Sequence, residues 1–244
     1  MERRTFLQKT AAASAGLYCL PAMSINDPKI YTVEELMGKA DIPLHGKGID
    51  LLKEAHDAYL KMKKAAYEAG FDLKMVSSYR SFNRQRAIWE RKYNAYTQDR
   101  GMAPLAAIEK IIEYSTIPGT SRHHWGTEVD VIDGNPKVTG DVLVPEKFEE
   151  GGPFEGLKQW LDKNSESFGF YLTYTNAPGR RGFKYEPWHY SYAALSIPML
   201  EQFRKKNIFK LIQNEDFLGA EHFTTGFLRN YINDYILDIN PVLL

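Results

Sequence analysis

The sequence is poor in cysteine and has no excess of either charge. Cys19 is the only cysteine in 244 residues, so the chain can form no internal disulfide bond. Basic and acidic residues each number 31, which gives a formal net charge of zero. A balanced charge does not favour a nucleic acid or an anionic membrane surface as a partner. If the chain is an enzyme, its chemistry must rest on a metal ion, a serine or carboxylates.

The apolar run near the amino terminus is too short to span a bilayer as a helix. Arg3 and Arg4 come first, an apolar stretch covers residues 11–20, and small residues surround Met23. This layout predicts an export signal over residues 1–24, which also holds Cys19. We therefore expect a thiol-free mature protein without a stable membrane span, exported to the periplasm or cell envelope. The paired arginines resemble a twin-arginine signal, and export by the Sec route remains open.

The rest of the chain contains both helical and extended patterns. Residues 25–195 are predicted to form one domain. Residues 196–244 are predicted to be a helical C-terminal appendage, which either packs on that domain or binds a partner. The predicted helices cover residues 50–69, 81–93, 104–114 and 154–168, and further helical patches cover 199–212 and 223–237. The predicted strands cover residues 73–76, 127–133, 170–174 and 187–190, the last as an edge strand.

Two separate stretches together supply the donors of a zinc site. The first contributes His123 and Asp130, and the second contributes His189, with Glu186 three residues before it. Three nitrogen and oxygen ligands leave a coordination position open for water, as catalytic zinc requires. Gly126 permits a tight backbone approach before the strand that carries Asp130. The sequence therefore predicts catalytic zinc rather than structural zinc.

These stretches resemble the signature of a known peptidase family. Ser121-x-His123-x-x-Gly126-x-x-x-Asp130 and Glu186-x-Trp188-His189 are similar to the motifs of the VanY-type D-alanyl-D-alanine carboxypeptidases. Those enzymes are zinc peptidases that trim the stem peptide of peptidoglycan, and related members are L,D-carboxypeptidases. Ser77-Ser-Tyr-Arg-Ser81 with Gln85 resembles a third family segment. The resemblance covers about residues 50–192 and implies an α+β fold in which a small antiparallel sheet carries the zinc site against helices.

The resemblance also implies roles for individual side chains. Glu186 is expected to be the general base, and Arg80 is expected to contact the substrate carbonyl. The other predicted contacts have less defined roles: Ser121 binds the substrate backbone or a zinc ligand, Gln85 helps to read the peptide terminus, and Tyr79 and Trp188 form an apolar wall or belong to the core. The cation that reads the substrate carboxylate stays open among Arg122, Arg180 and Arg181.

Several functions remain open at this point. The preferred one is removal of the terminal D-alanine from peptidoglycan stem peptides by a D,D-carboxypeptidase. An L,D-carboxypeptidase needs an unpaired acid for a lysine or diaminopimelate side chain, and Glu128, which replaces a frequent alanine of the family, is the candidate. A peptidoglycan endopeptidase and a zinc-binding module without activity are further alternatives. A serine enzyme is not indicated, because the chain has no Ser-x-x-Lys motif.

Overall fold

The computed structural model describes residues 29–244, so the predicted export signal lies outside the described residues. The helices are α1 (Val33–Leu36), α2 (Lys53–Glu68), α3 (Phe82–Asn94), α4 (Pro104–Ile111), α5 (Glu155–Asn164), α6 (Ala193–Arg204), α7 (Ile208–Gln213) and α8 (Thr225–Tyr231). The strands are β1 (Leu44–His45), β2 (Leu51–Leu52), β3 (Leu73–Ser77), β4 (Glu128–Asp133), β5 (Phe170–Leu172) and β6 (His189–Tyr192). This mixture of helices and short strands confirms the α+β prediction.

The main sheet has four antiparallel strands in the order β3-β4-β6-β5, and β1 and β2 form a separate short pair. The predicted edge position of residues 187–190 was wrong, because β6 lies between β4 and β5. The physical reason is that Pro187 precedes the strand, which begins at His189. The missing N–H of the proline therefore removes no hydrogen bond from the ladder.

Apolar helix faces cover one side of this sheet. Helix α2 contributes Tyr59 and Met62, and helix α5 contributes Leu157 and Leu161, all almost fully buried. These side chains share a hydrophobic cluster with strand residues including Val129 and Val131. Because neighbouring strand residues point to opposite faces, the residues between and beside these valines face the other side of β4, where polar groups collect.

The C-terminal helices share the largest hydrophobic cluster with the central part of the chain. Trp89 of α3 donates its indole N–H to Leu218 O at 2.8 Å, and Asn240 donates to Leu172 O at 2.9 Å. One apolar core spans residues on both sides of the predicted domain boundary between residues 195 and 196. That boundary stays a prediction. None of the helices formed by residues 29–244 is both long enough and apolar enough to cross a membrane.

Candidate active site

Asp130 and His189 meet because they are cross-strand partners on β4 and β6. Val129, next to Asp130, is fully buried in the cluster beneath the sheet. Alternation along the strand therefore turns Asp130 towards the opposite face. Directly opposed antiparallel residues have their Cβ atoms about 4.5–5.5 Å apart, which is close enough for both side chains to share an ion.

His123 lies close to Asp130 and His189 because it belongs to a short 3-10 helix, Arg122–Trp125, that precedes β4. Gly126 ends this helix with φ 66°, a left-handed conformation that favours glycine, and turns the chain into the strand. His123 Nδ1 donates to Ser78 O at 2.7 Å. That hydrogen bond directs Nε2 towards Asp130, and the distance from Nε2 to Asp130 Oδ2 is 3.3 Å.

The three side chains fit a zinc ion. His189 Nδ1 lies 3.3 Å from Asp130 Oδ1, and one donor atom from each residue lies within 4.8 Å of the others. Tetrahedral zinc with bonds of about 2.0–2.1 Å places its ligand atoms about 3.3–3.4 Å apart. Asp130 Oδ1 is buried and has no hydrogen-bond partner among residues 29–244, as expected for an oxygen reserved for a cation.

Glu186 lies beside this donor set, as the sequence predicts for the base. Its Oε2 atom is 3.1 Å from His189 Nδ1. Burial raises the pKa of Glu186 above the ordinary glutamate value. A carboxyl group with a raised pKa is better matched to accepting and returning a proton near neutral pH than an ordinary carboxylate.

Glu128 does not supply the unpaired acid that an L,D-enzyme was expected to show. Its carboxylate is fully buried and accepts hydrogen bonds from Arg122 at 3.2 Å and from Ser191 at 2.7 Å. Its Oε2 also lies 2.9 Å from His189 Nε2. The sequence-based argument from Glu128 was therefore wrong, because a buried guanidinium already balances this charge.

The local charges set the protonation of the side chains in the site. Burial opposes the charged form of His189, but hydrogen bonds to Glu128 and Glu186 raise the pKa of its imidazole to about 10. Burial lowers the pKa of His123. Burial also opposes ionisation of Glu128, yet the charge of Arg122 holds its pKa below the ordinary value. A histidine that binds a metal must give up the proton of its charged form, so zinc competes with a proton for His189 at neutral pH.

A cavity of about 590 Å³ contains most of the predicted site residues. The three predicted zinc ligands line this cavity together with Arg80, Ser121, Glu186 and Trp188. Gln85 is fully buried beneath Arg80, accepting from its guanidinium at 2.7 Å and donating to Thr116 O at 2.8 Å. Tyr79 packs against the largest hydrophobic cluster. The structure thus does not bring Gln85 and Tyr79 to the cavity wall.

The three predicted carboxylate-reading cations are placed differently. Arg122 lines the cavity, but its guanidinium pairs with the buried Glu128. Arg180 and Arg181 do not line the cavity, since Asp238 accepts from the backbone of Arg181 at 2.6 Å and lies 3.7 Å from Arg180 Nε. None of these three arginines is therefore well placed to bind the carboxylate of the substrate.

Sequence reasoning missed several residues of the cavity wall. Tyr174 is one, and its ring centre lies 4.9 Å from that of His189. Nothing in its local sequence marks it, because only the pairing of β5 with β6 brings this segment close. Arg91 and Lys92 are two others. The signal for Lys92 was its spacing of seven residues from Gln85, which corresponds to two turns on one helix face.

Comparisons with known proteins agree with this geometry. The family described as VanY, D-alanyl-D-alanine carboxypeptidase, matches residues 48–195. An uncharacterized protein of Haemophilus influenzae is 34% identical over 123 residues, which are 50% of this chain and 93% of that protein. The family match covers the segment that holds every predicted metal ligand.

Two solved structures share the fold. VanYB in complex with D-alanine-D-alanine has a TM-score of 0.51 at 22% identity, covering 73% of this chain and 92% of its own. A vancomycin-resistance D,D-pentapeptidase VanY variant in complex with Zn(II) has a TM-score of 0.50 at 24% identity. This match covers 67% of this chain and 90% of that chain. With the donor set built around Asp130, the family match identifies the chain as a zinc-dependent carboxypeptidase that belongs to the VanY family of D-alanyl-D-alanine carboxypeptidases.

Proposed function

We propose that this chain hydrolyses the terminal D-alanyl-D-alanine bond of peptidoglycan stem peptides and releases D-alanine. The observation that carries the proposal is the placement of Glu186 in one cavity with the three predicted zinc ligands and Arg80. Metal-dependent amide hydrolysis needs three parts: metal ligands, a buried carboxyl group with a raised pKa, and a guanidinium that donates hydrogen bonds. The family match supports the choice of substrate.

His123, Asp130 and His189 would hold zinc, which supplies Lewis acidity to the scissile carbonyl and acidity to water. Glu186 takes the proton of the attacking water and then passes it to the leaving amine of D-alanine. Arg80 donates hydrogen bonds to the oxygen on which negative charge develops.

Two contacts fix the guanidinium of Arg80 for this task. Gln85 Oε1 accepts from it at 2.7 Å, and Ser77 Oγ accepts at 3.1 Å. A donor that is held in place before the reaction costs little reorganisation when charge develops. Gln85 thus supports the reaction by orienting Arg80 from within the protein.

Purified stem peptides test this function directly. The zinc-loaded enzyme is incubated with pentapeptide and with tetrapeptide, and the released masses are followed. Conversion of pentapeptide to tetrapeptide alone is the expected result. Formation of tripeptide from tetrapeptide would assign the L,D activity instead, with the exposed cavity residues Asp141 and Glu146 facing a charged side chain. Cleavage within the stem would assign an endopeptidase.

We also propose that the enzyme acts outside the cytoplasm, in the periplasm or cell envelope. The predicted signal over residues 1–24 and the cell-wall substrate of the family support this proposal. N-terminal sequencing of the exported protein should find a start near residues 23–25. Replacing Arg3 and Arg4 by lysine should block export if the twin-arginine route is used, and unchanged export would assign the Sec route.

A further inference from the structure

Lys92 of α3 is a partly buried cation on the wall of the cavity. Its Nζ donates to Ser115 Oγ at 2.8 Å, and no carboxylate of residues 29–244 forms an ion pair with it. Burial, followed by the charge of Arg80, lowers the pKa of Lys92. An ammonium group that is removed from water without a counter-charge is unfavourable, and an arriving anion offsets that cost.

The position of Lys92 relative to the reacting groups follows from the helix geometry. Gln85 and Lys92 lie two turns apart on one face of α3, and a long helical side chain leans towards the helix N-terminus. Lys92 therefore extends back towards Gln85, which contacts Arg80. Gln85, behind the wall, also donates to Thr116 O, and Lys92 donates to the neighbouring Ser115, so one short segment connects Lys92 with the residue that holds Arg80.

Hydroxyl groups complete this part of the wall. Ser115 and Thr116 both line the cavity. Thr116 Oγ1 is buried and lacks a hydrogen-bond partner among the described residues. An ammonium group that is hydrogen-bonded to a single hydroxyl, that of Ser115, keeps donors for a small carboxylate, which accepts several hydrogen bonds at once. The other cations that line the cavity are less suited to bind a carboxylate. Arg122 already pairs with Glu128, Gln85 holds Arg80 near the predicted zinc ligands, and Arg91 is exposed to solvent.

We propose that Lys92 binds the free carboxylate at the C-terminus of the stem peptide. This assignment rests on the proposed function and deepens it, because it names the group that makes the enzyme an exopeptidase. With Arg80 at the scissile carbonyl, the leaving D-alanine lies along the wall formed by Thr116, Ser115 and Lys92. A peptide whose C-terminus is blocked or continued offers no carboxylate at this position.

The test compares a peptide acid with its amide. The substrate is N-acetyl-L-lysyl-D-alanyl-D-alanine, and its C-terminal amide is assayed as a competing inhibitor. Lys92→Met should raise the KM for the acid by about tenfold or more, the scale of a lost hydrogen bond to a charged group. The same variant should leave the Ki of the amide within about twofold. Lys92→Arg, which keeps the charge, should restore much of the affinity for the acid.

Three results would overturn the proposal. An equal loss of affinity for acid and amide would assign Lys92 a structural role, and so would no loss for either. A loss of acid affinity in Arg91→Met but not in Lys92→Met would assign the carboxylate to Arg91. Lys92→Gln replaces Lys92→Met if the methionine variant does not fold. Turnover of the acid by the unaltered enzyme reports the proposed function, so a failure there is distinct from a failure of Lys92.

Discussion

Among single residues, Glu186 carries the proton transfer that we assign to the site. Glu186→Gln should keep the fold and the bound zinc, because the carboxylate lies 3.1 Å from His189 and is not one of the three ligands. The amide cannot accept a proton, so kcat should fall by about a hundredfold or more, the usual scale for a general base. Stopped assays of D-alanine release together with zinc analysis measure both properties. Retention of kcat within a few-fold would exclude Glu186 as the base.

The carboxylate behind His189 is the second residue with a testable role. Glu128 Oε2 lies 2.9 Å from His189 Nε2, on the opposite side of the ring from the metal position. Partners of this kind fix the orientation of a ligand, and their loss weakens metal binding by about 10–100-fold. Glu128→Gln should therefore lower zinc affinity by about tenfold or more, measured by competition with a chelating dye at fixed pH.

A matched control separates this role from general packing. Ser191→Ala removes a hydroxyl that bonds the same carboxylate at 2.7 Å but leaves the contact with His189 intact. Its zinc affinity should change less than that of Glu128→Gln. Equal zinc affinity in Glu128→Gln and the unaltered protein would show that Glu128 does not act through His189.

The residue types of the site were predictable because local spacing encodes them. His123, Asp130 and His189 with Glu186 follow from two short motifs, and the strand pairing places them together. The balance of Glu128 by Arg122 was not predictable, because that ion pair depends on a 3-10 turn which folds the arginine back under β4. Lys92 was missed for a similar reason, since the cavity arises from segments that are distant in sequence.

At the scale of elements, the helix α8 supports the loop that leads to the metal site. Tyr231 OH accepts from Ile117 N at 3.0 Å and lies 2.9 Å from Thr120 Oγ1. Tyr231→Phe leaves the buried Ile117 N–H without a partner, which costs about 1–3 kcal/mol. The melting temperature should fall by several degrees, at about 2–4 °C per kcal/mol for a chain of this size.

Tyr235→Phe is the control for this prediction. Tyr235 stacks on Tyr231 with ring centres 5.2 Å apart, yet its hydroxyl makes no hydrogen bond within residues 29–244. Its removal should leave the melting temperature almost unchanged. Equal melting temperatures for both variants would show that the contact of α8 with the loop contributes nothing measurable to stability.

The elements themselves were largely predictable from apolar periodicity and capping residues. Ser81, for example, accepts from Arg84 N and begins α3 as its sequence indicates. The order of strands was less accessible, because β6 pairs on both sides through contacts that local sequence does not specify. A proline next to a strand suggested an edge, but the ladder begins only after it.

At the scale of the whole molecule, the core determines whether the C-terminal segment is separable. Twelve almost fully buried apolar residues of the largest cluster follow residue 195, among them Leu200, Phe203 and Leu228. They pack with central residues such as Trp89 and Trp125. Each buried side chain of this type stabilises the fold by about 1.5–3 kcal/mol. Loss of half of them would match or exceed the net stability of an ordinary domain, about 5–15 kcal/mol.

A protein truncated after residue 195 should therefore not fold cooperatively, although it retains every predicted zinc ligand. Circular dichroism against urea should show no cooperative transition, and an apolar dye should bind strongly to the exposed core. The control is the full mature chain starting at residue 25. A truncated protein that unfolded cooperatively and bound one zinc would show that residues 196–244 are an appendage that the zinc peptidase domain does not need for folding. In that case the hydrogen bonds that Tyr231 and Asn240 form with residues before 196 would not be required for the stability of that domain.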